Sequence, residues 1–314
     1  MATIDAAPAP KKVEGRPPKI AKYGKLEWRT LPVALLFIVP AALGYLLFLV
    51  YPAIRGIWLS FTDYSIFQAG EFVGLDNYTR MMSDGVFWKS MGVTIYYVLL
   101  NIGFQTVLAL ALAVLLHRLT QSIVVRSLVL VPYLISNVIG AMVWLLLADF
   151  QLGFVNELIE SIGFDRLNFF GSEALVIPTI AFVNIWRHLG YTALLIFAGL
   201  QTIPSDVYEA GRMDGATEMS MFRHITLPLL RPFLAMVLIV TMIGSFQVFD
   251  TVAVATKGGP ANSSYVIQYY IYETAFGYHE FGYASALSVA LLIVLGTITL
   301  AQFKMSRANE SDLN

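Results

Sequence analysis

The sequence predicts an all-α membrane protein that crosses the bilayer about six times. Of its 314 residues, 57% are hydrophobic and only 13% are charged, whereas a soluble domain carries roughly 25% charged residues. The apolar residues are collected in long runs, and a run of about 18 or more can cross a bilayer. Such segments must be helices, because an isolated strand cannot satisfy its backbone hydrogen bonds in lipid. The composition therefore excludes an ordinary soluble enzyme.

Six apolar segments are predicted as membrane spans. Each has roughly 20 residues or more, which at ~1.5 Å per residue covers a hydrocarbon core of ~30 Å. The predicted spans are 31–52, 91–116, 127–148, 174–200, 232–256 and 283–303. They form one transmembrane domain over residues 31–304, followed by a short tail at 305–314.

Residues 1–30 are polar, basic and rich in proline, so we expect a disordered tail. A secretory signal peptide is the alternative reading of a basic tail that precedes an apolar run. That run, residues 31–51, is longer than the usual ~7–15 residues, and no small-residue cleavage site follows it. We therefore predict a retained first helix.

The placement of lysine and arginine predicts the orientation. Of the 20 such residues, Arg187 lies inside a span and most of the others share the side of the N-terminal tail. The opposite side holds Arg55, Arg80, Lys89, Arg166 and Lys257. Positively charged loops stay in the cytoplasm. Both termini and the loops 117–126 and 201–231 are therefore predicted to be cytoplasmic.

The chain carries no pattern that predicts catalysis or metal binding. It has no cysteine, and its four histidines lie far apart without metal-ligand spacing. A net charge of -1 gives no reason to expect a nucleic-acid partner. No phosphate-cradling sequence of the kind that binds nucleotides is present. We therefore predict neither a catalytic residue nor a metal site.

The loop at 201–231 has local signals for two short helices. Ser205 after Pro204 is predicted to cap the first helix, and Gly215 is placed to end it as a left-handed residue. Thr217 is predicted to cap a second short helix that stops at Leu227-Pro228. On shape alone the segment is either a docking element or a simple connection between spans.

This loop resembles the "EAA" signature of binding-protein-dependent ABC importer permeases. The matching residues are Glu209-Ala210-Gly211, Asp214-Gly215-Ala216, Phe222, Ile225 and Leu227-Pro228. The resemblance implies a coupling helix, seated in a cleft of a separate ATPase, that consists of Glu209, Ala210, Gly211, Asp214 and Gly215. Gly211 departs from the second alanine of the signature, which lowers helix propensity by about 0.5–1 kcal/mol but keeps a small contact face.

Further segments resemble the carbohydrate permeases related to the maltose and glycerol-phosphate systems. They are Phe61-Thr62-Asp63, Gly74-Leu75-Asp76-Asn77-Tyr78, Leu130-Val131-Pro132-Tyr133, Ala198-Gly199-Leu200-Gln201 and Gly258-Gly259-Pro260 with the residues that follow. The resemblance implies a type I ABC importer permease in a bacterial inner membrane. Its implied partners are a second homologous permease, two ATPases that hold ATP and Mg²⁺, an external solute-binding protein and membrane lipid. The implied cargo is a sugar or oligosaccharide.

Polar residues inside the predicted spans are the candidates for a substrate path, since such groups are costly in lipid. They are Asn137, Trp186, Arg187, Tyr191, Gln247 and Asp250. Sugar hydroxyls need hydrogen-bond partners, and sugar rings pack on aromatic faces. The alternative is that these side chains only bond between helices, for ~0.6 kcal/mol each.

Arg187 has two open interpretations. It can pair with Asp250, or it can attract an anionic substrate such as glycerol 3-phosphate. We expect the pairing, because an acid is available at a plausible depth.

An ion-coupled secondary carrier is a rival from another class, and it predicts relays of acids and histidines across several spans. No pair of broken helices, as found in many such carriers, is visible in the sequence.

Overall fold

The computed structural model describes residues 31–120 and 122–308. The predicted tail 1–30 lies outside the described residues, as do residues 309–314. The chain divides into two compact units, Met1–Ile54 and Arg55–Asn314. The first apolar segment forms α1 (Leu31–Tyr45), a π turn (Leu46–Val50) and α2 (Tyr51–Leu59). The predicted first span ends seven residues too early by this assignment, because the helical geometry continues through Leu59.

The second unit is built along one long helix. After α3 (Asp76–Ser83), α4 (Gly85–Leu119) runs unbroken for 35 residues, or about 50 Å at ~1.5 Å per residue. It contains the predicted span 91–116. Its neighbours are α8 (Val176–Leu200) and α11 (Leu227–Phe246). We use the N-terminal and C-terminal ends of α4 to name the two ends of this unit.

The predicted single span 127–148 is wrong as one helix. It consists of α5 (Ile123–Leu134) and α6 (Asn137–Leu147), which meet at an angle of 89°. Ile135 and Ser136 are extended, so the helical ladder stops between the two helices, two residues after Pro132 weakens the last turns of α5. The short helix α7 (Phe154–Ser161) follows.

The helix after the predicted coupling loop is longer than expected. α9 (Ser205–Met213) ends in a turn at 214–217. α10 (Glu218–Met221), a π turn (Phe222–Thr226) and α11 then follow one another without interruption. The predicted stop at Leu227-Pro228 is wrong, because the wide π turn leads into the proline, which needs no N–H near a helix start. α11 ends instead at Phe246, and α12 (Asp250–Ala255) begins after a break. The predicted span 232–256 is therefore interrupted too.

The chain ends in α13 (Ile267–Tyr272), a π turn (Glu273–Gly277) and α14 (Phe281–Ala308). The last helix runs through 305–308, which were assigned to the tail. In the ranges described, five helices are long and apolar enough to cross a membrane, or six if α5 and α6 form one broken span. No β-strand forms in those ranges, only two isolated bridges. The all-α polytopic fold is confirmed.

Two apolar clusters divide the second unit along α4. One surrounds its N-terminal half and includes Tyr97, Ile180 and Leu287. The other surrounds its C-terminal half and is rich in small residues, including Ala109, Ala113 and Ala193, all fully buried. Small side chains allow helices to approach closely in a membrane protein. The polar residues considered below lie between these two clusters.

Asp84 fastens the N-terminal end of α4. Its Oδ1 accepts the backbone N–H of Val86 at 2.8 Å, which caps the helix. Its Oδ2 accepts the hydroxyl of Tyr270, and that of Tyr283 at 2.6 Å. One carboxylate therefore joins α4 to α13 and α14.

Replacing Asp84 should loosen this end of the unit. Because Asp84→Ala removes a cap and leaves two tyrosine hydroxyls unpaired, it should lower the free energy of unfolding by about 2–4 kcal/mol. Asp84→Asn, which can still cap, should cost less. Thermal unfolding in detergent measures both. The control is Asp165→Ala, at an exposed loop position; an equal loss in the control would contradict the role given to Asp84.

Candidate functional site

The hairpin of α9 and α10 (Ser205–Met221) lies at the C-terminal end of α4. Its first helix starts differently from the prediction. Ser205 is the first helical residue rather than the cap, and its hydroxyl is directed to Asp206 Oδ1 at 3.3 Å. Pro204 precedes the helix in an extended conformation and needs no capping partner for its own nitrogen.

The end of α9 follows the prediction. Gly215 has φ +76°, a left-handed conformation that other residues adopt at a cost. Its N–H donates to Arg212 O at 3.0 Å, and Ala216 N–H donates to Gly211 O at 3.0 Å. These two bonds form a Schellman motif. Thr217 then caps α10 as predicted, accepting Ser220 N–H at 3.3 Å.

Three contacts hold the hairpin to the helices behind it. Arg118 of α4 pairs with Glu218 of α10 at 2.8 Å. The Tyr208 hydroxyl lies 3.0 Å from the hydroxyl of Thr226, which is buried in the π turn. A Cβ built on Gly211 would lie 3.0 Å from Ile225 Cδ1. Gly211 thus faces the π turn rather than a free surface, and an alanine here would require the Ile225 side chain to shift.

The rest of the predicted coupling set is exposed. Glu209, Ala210, Asp214 and Gly215 all lie on the surface. Met213 and Met219 beside them are 90% and 73% exposed. Methionine adapts well to apolar partner surfaces. The hairpin therefore presents small, acidic and methionine side chains together, which suits docking into a cleft of another protein.

A polar cavity of about 360 Å³ lies midway along α4. Its wall is formed by α4, α5, α6, α8, α11 and the break before α12. Of the predicted path residues, the structure brings together Asn137, Tyr191, Gln247 and Asp250 on this wall. The ends of two interrupted helices, α5 with α6 and α11 with α12, meet here. The first of these interruptions is a sharp bend of 89°, whereas α11 and α12 belong to one candidate span with a short break.

A buried chain of amides and hydroxyls forms one side of the cavity. Asn101 Nδ2 donates to Gln105 Oε1 at 3.1 Å and to Ser245 Oγ at 2.8 Å. Gln105 Nε2 donates to Thr192 Oγ1 at 2.8 Å. Asn101 is only 1% exposed, and its Oδ1 has no hydrogen-bond partner within the described residues.

Trp186 is not part of the cavity. Its ring packs at 5.6 Å from that of Trp144, in a T-shaped contact. It lines a separate apolar groove between α4 and α8 with residues such as Phe104 and Phe182. Helical periodicity turns Trp186 away from Tyr191, which lies five positions later, so the structure does not bring it to this cavity, and its role in a substrate path stays a prediction.

Arg187 closes the end of α5 instead of pairing with an acid. Its Nε donates to Ile135 O at 2.6 Å, and one Nη donates to Tyr133 O at 3.2 Å. The other Nη lies 2.9 Å from His188 Nε2. The guanidinium thus satisfies carbonyls that α5 leaves free where it breaks. It does not line the cavity.

Asp250 has another partner. Its Oδ2 accepts Asn137 Nδ2 at 2.7 Å, joining the first residue of α6 to the first residue of α12. Among the described residues no ion pair joins Arg187 to Asp250. The predicted pairing is therefore not formed as a direct contact, because each side chain serves a different interrupted helix.

Sequence reasoning missed Tyr133 and Phe249 as lining residues. The Tyr133 ring stacks on Tyr191 at 4.5 Å and 9°. The signal for Tyr133 was the adjacent Pro132, which indicates a helix end inside a span. Phe249 had no comparable signal, since the break at 247–249 contains neither proline nor glycine.

These contacts predict how substitutions at Arg187, Asn137 and Asp250 change the free energy of unfolding, singly and in pairs. Arg187→Ala should lower the free energy of unfolding by about 1–3 kcal/mol, because it strands the two carbonyls. Arg187→Lys should recover only part of this, since one ammonium lacks the fork of donors. Asn137→Ala and Asp250→Ala should couple by about 0.5–2 kcal/mol in a double-mutant cycle.

The matched cycle combines Arg187→Ala with Asp250→Ala, and detergent unfolding is the measurement for both cycles. We expect the losses in free energy of unfolding from Arg187→Ala and Asp250→Ala to add to within about 0.5 kcal/mol. A larger coupling for Arg187 with Asp250 than for Asn137 with Asp250 would contradict the two separate roles.

Comparison with known proteins assigns this arrangement to a family. Residues 105–306 match the model of the "Binding-protein-dependent transport system inner membrane component". The trehalose/maltose transport system permease protein MalF of Thermococcus litoralis is 33% identical over 288 residues, 90% of this chain and 96% of that protein. The arabinooligosaccharides transport system permease protein AraP of Bacillus subtilis is 30% identical over 278 residues, 86% of this chain and 87% of that protein.

Solved structures agree on the fold. A chain in the crystal structure of a bacterial ABC transporter involved in the import of the acidic polysaccharide alginate superposes with a TM-score of 0.80. It is 24% identical and covers 89% of this chain and 96% of its own. The cavity, the hairpin and the interrupted helices are thus features of a chain that belongs to the binding-protein-dependent transport system inner membrane components.

Proposed function

We propose that this chain is one permease subunit of an ATP-driven importer and forms half of the path for a neutral sugar or oligosaccharide. The observation that carries the proposal is the combination of a polar cavity midway along α4 with an exposed EAA-like hairpin at one end. The relatives named above include permeases of trehalose/maltose and arabinooligosaccharide systems. Their names support a sugar as the cargo.

The cavity wall favours a neutral sugar over a phosphate ester. It presents amides, hydroxyls and the stacked rings of Tyr133 and Tyr191, which suit sugar hydroxyls and the apolar face of a sugar ring. Its acid, Asp250, already accepts from Asn137. Arg187, the feature that suggested glycerol 3-phosphate, is engaged with backbone carbonyls.

An ion-coupled carrier finds little support in these contacts. His188 bonds to Arg187 and to the backbone carbonyl of Asn184 at 3.0 Å, and neither is an acid. Asp250 is bonded to an amide. A proton relay needs titratable groups in sequence, and the described residues around the cavity do not form one.

The partners of the importer complete the proposal. A second homologous permease supplies the other half of the path, and an external solute-binding protein delivers the sugar. Two ATPase chains bind ATP and Mg²⁺ and receive the hairpin. The hairpin and both termini then face the cytoplasm, as the distribution of lysine and arginine indicates.

The contacts behind the hairpin suggest how ATP-driven movement reaches the cavity. Arg118–Glu218 joins the hairpin to α4, and Tyr208–Thr226 joins it to the turn that leads into α11. Both α4 and α11 line the cavity. Displacement of the hairpin by the ATPases would therefore be transmitted to two walls at once, which is the requirement for alternating access.

A charge placed on the exposed face should uncouple the complex. Ala210→Arg should leave folding intact, because Ala210 is exposed, but should prevent seating in an ATPase cleft. Uptake per ATP hydrolysed, measured in proteoliposomes, should fall by about tenfold or more. Glu157→Arg on α7 is the control and should keep normal coupling. Normal coupling in Ala210→Arg would contradict the assignment of the hairpin.

The cargo is tested with a panel of labelled solutes. The reconstituted complex should take up at least one of maltose, trehalose, maltotriose and arabinotriose in an ATP-dependent manner, and should exclude glycerol 3-phosphate. Uptake of glycerol 3-phosphate without any of the sugars would overturn the neutral-sugar proposal. Uptake driven by an ion gradient without ATP would overturn the importer itself.

A further inference from the structure

Aromatic rings lead away from the polar cavity toward the N-terminal end of α4. Phe249 lies on the cavity wall, and its ring centroid is 5.0 Å from that of Tyr272. Tyr272 is 5.2 Å from Phe276, which is 5.7 Å from Phe281. Tyr269 flanks them, 6.2 Å from Phe249 and 6.3 Å from Tyr272. We call these five residues the aromatic row; its neighbouring rings are in direct contact.

The middle of the row is surface rather than core. Tyr272 is 46% exposed and Phe276 is 60% exposed. The opposite face of the same segment is buried, with Tyr270 at 7% and Thr274 at 1% exposure. Helical spacing separates these two faces. Packing of the unit is therefore carried by the buried face, and the described residues leave the rings of Tyr272 and Phe276 largely uncovered.

The tyrosines of the row also have unused hydroxyls. Tyr265 and Tyr270 beside the row donate to Glu273 and Asp84 respectively. The structure gives no hydrogen bond to the hydroxyls of Tyr269 and Tyr272 from any residue it describes. Each of these two rings thus offers an apolar face and a free polar tip. A sugar has the matching pair of features, a C–H face and hydroxyl groups around it.

One end of the row lies on the wall of the polar cavity, a position that an interfacial anchor does not need. Tyrosines that anchor a protein lie in a belt at the membrane–water interface. This row instead starts at Phe249, between the cavity residues Gln247 and Asp250, and continues outward along α13 and the following π turn. It connects the midpoint of α4 with one end of the unit.

We propose that the aromatic row is a stacking track along which a neutral sugar passes between the N-terminal end of α4 and the polar cavity. The proposal rests on the proposed function and deepens it by assigning ligand-contacting residues outside the cavity. Each ring accepts the apolar face of one sugar unit, and the close spacing lets a sugar reach the next ring before it leaves the last. The track is selective for rings with an apolar face rather than for charge.

The absence of cysteine from this chain permits a direct test. Phe276→Cys is introduced into a complex whose other subunits lack cysteine, and labelling by a charged, water-soluble methanethiosulfonate is followed during ATP-driven uptake. The thiol should be labelled, and the panel sugar that the wild type carries should slow its labelling several-fold. Phe164→Cys, at a ring that is 67% exposed and outside the row, should be labelled at one rate with and without sugar.

A second measurement separates ring contact from folding. Phe276→Ala should lower uptake at subsaturating sugar by about two- to tenfold, the value of one aromatic contact, while Phe276→Tyr keeps most of it. ATP hydrolysis stimulated by the binding protein should stay normal in both variants.

Each remaining outcome decides the matter. An unlabelled thiol would mean that lipid or a partner subunit covers Phe276, and this overturns the track. A labelled thiol that sugar does not protect, or equal uptake by the Ala and Tyr variants, also overturns it. A wild-type complex that carries none of the panel sugars overturns the proposed function itself, before the variants are compared.

Discussion

The architecture depends on how it satisfies backbone groups where two membrane helices are interrupted. In lipid a free carbonyl or N–H costs several kcal/mol, so a break is stable only when the protein supplies partners. At the end of α5 the partner is the guanidinium of Arg187, which donates to the backbone carbonyls of Tyr133 and Ile135. At the starts of α6 and α12, the bond between Asn137 and Asp250 joins both breaks. A polar, irregular region can therefore exist in the middle of an apolar unit.

The apolar clusters on either side confine this region. Because the cluster around Tyr97 and the cluster around Ala113 are both buried, polar side chains can face the cavity without contact with lipid. The chain Asn101–Gln105–Thr192 ties α4 to α8 at this level. The amides that stabilise the helix interface also form the cavity wall. A structural role for them is therefore compatible with a ligand-binding role.

Hydropathy was sufficient to predict the helices but not their interruptions. Runs of apolar residues identify membrane segments because the cost of lipid exposure depends on composition. The breaks at 135–136 and 247–249 depend on tertiary partners, and a mean over about 20 residues does not detect them. The Schellman end at Gly215 was predictable, because it is encoded in one residue whose left-handed backbone favours glycine. The continuation through Pro228 was not, because it relies on a π turn with no clear sequence signature.

Within the site, the sequence predicted which polar residues lie together better than it predicted which of them bond to each other. Asn137, Tyr191, Gln247 and Asp250 share one cavity wall, since polar residues in a span must face protein or water; their role in a substrate path stays a prediction. Their partners were not predictable. Arg187 and Asp250 carry opposite charges, yet carbonyls at the end of α5 bind the guanidinium. Pro132 indicates a helix end nearby, but it does not identify Arg187 as the side chain that binds there. Trp186 gives a second example. Its position on α8 places its ring in the apolar groove, whereas Tyr191 on the same helix lines the polar cavity.

The unbroken length of α4 has a mechanical consequence. Asn101 and Gln105 bond the middle of its 35 residues to α11 and α8, and its two ends are linked to other elements through Asp84 and the pair Arg118–Glu218. A stiff rod held at its centre moves its two tips in opposite directions when it tilts. Rotation by about 10° would swing each tip, some 25 Å from the centre, by roughly 4 Å. Such a tilt would widen one end of the cavity while it narrows the other.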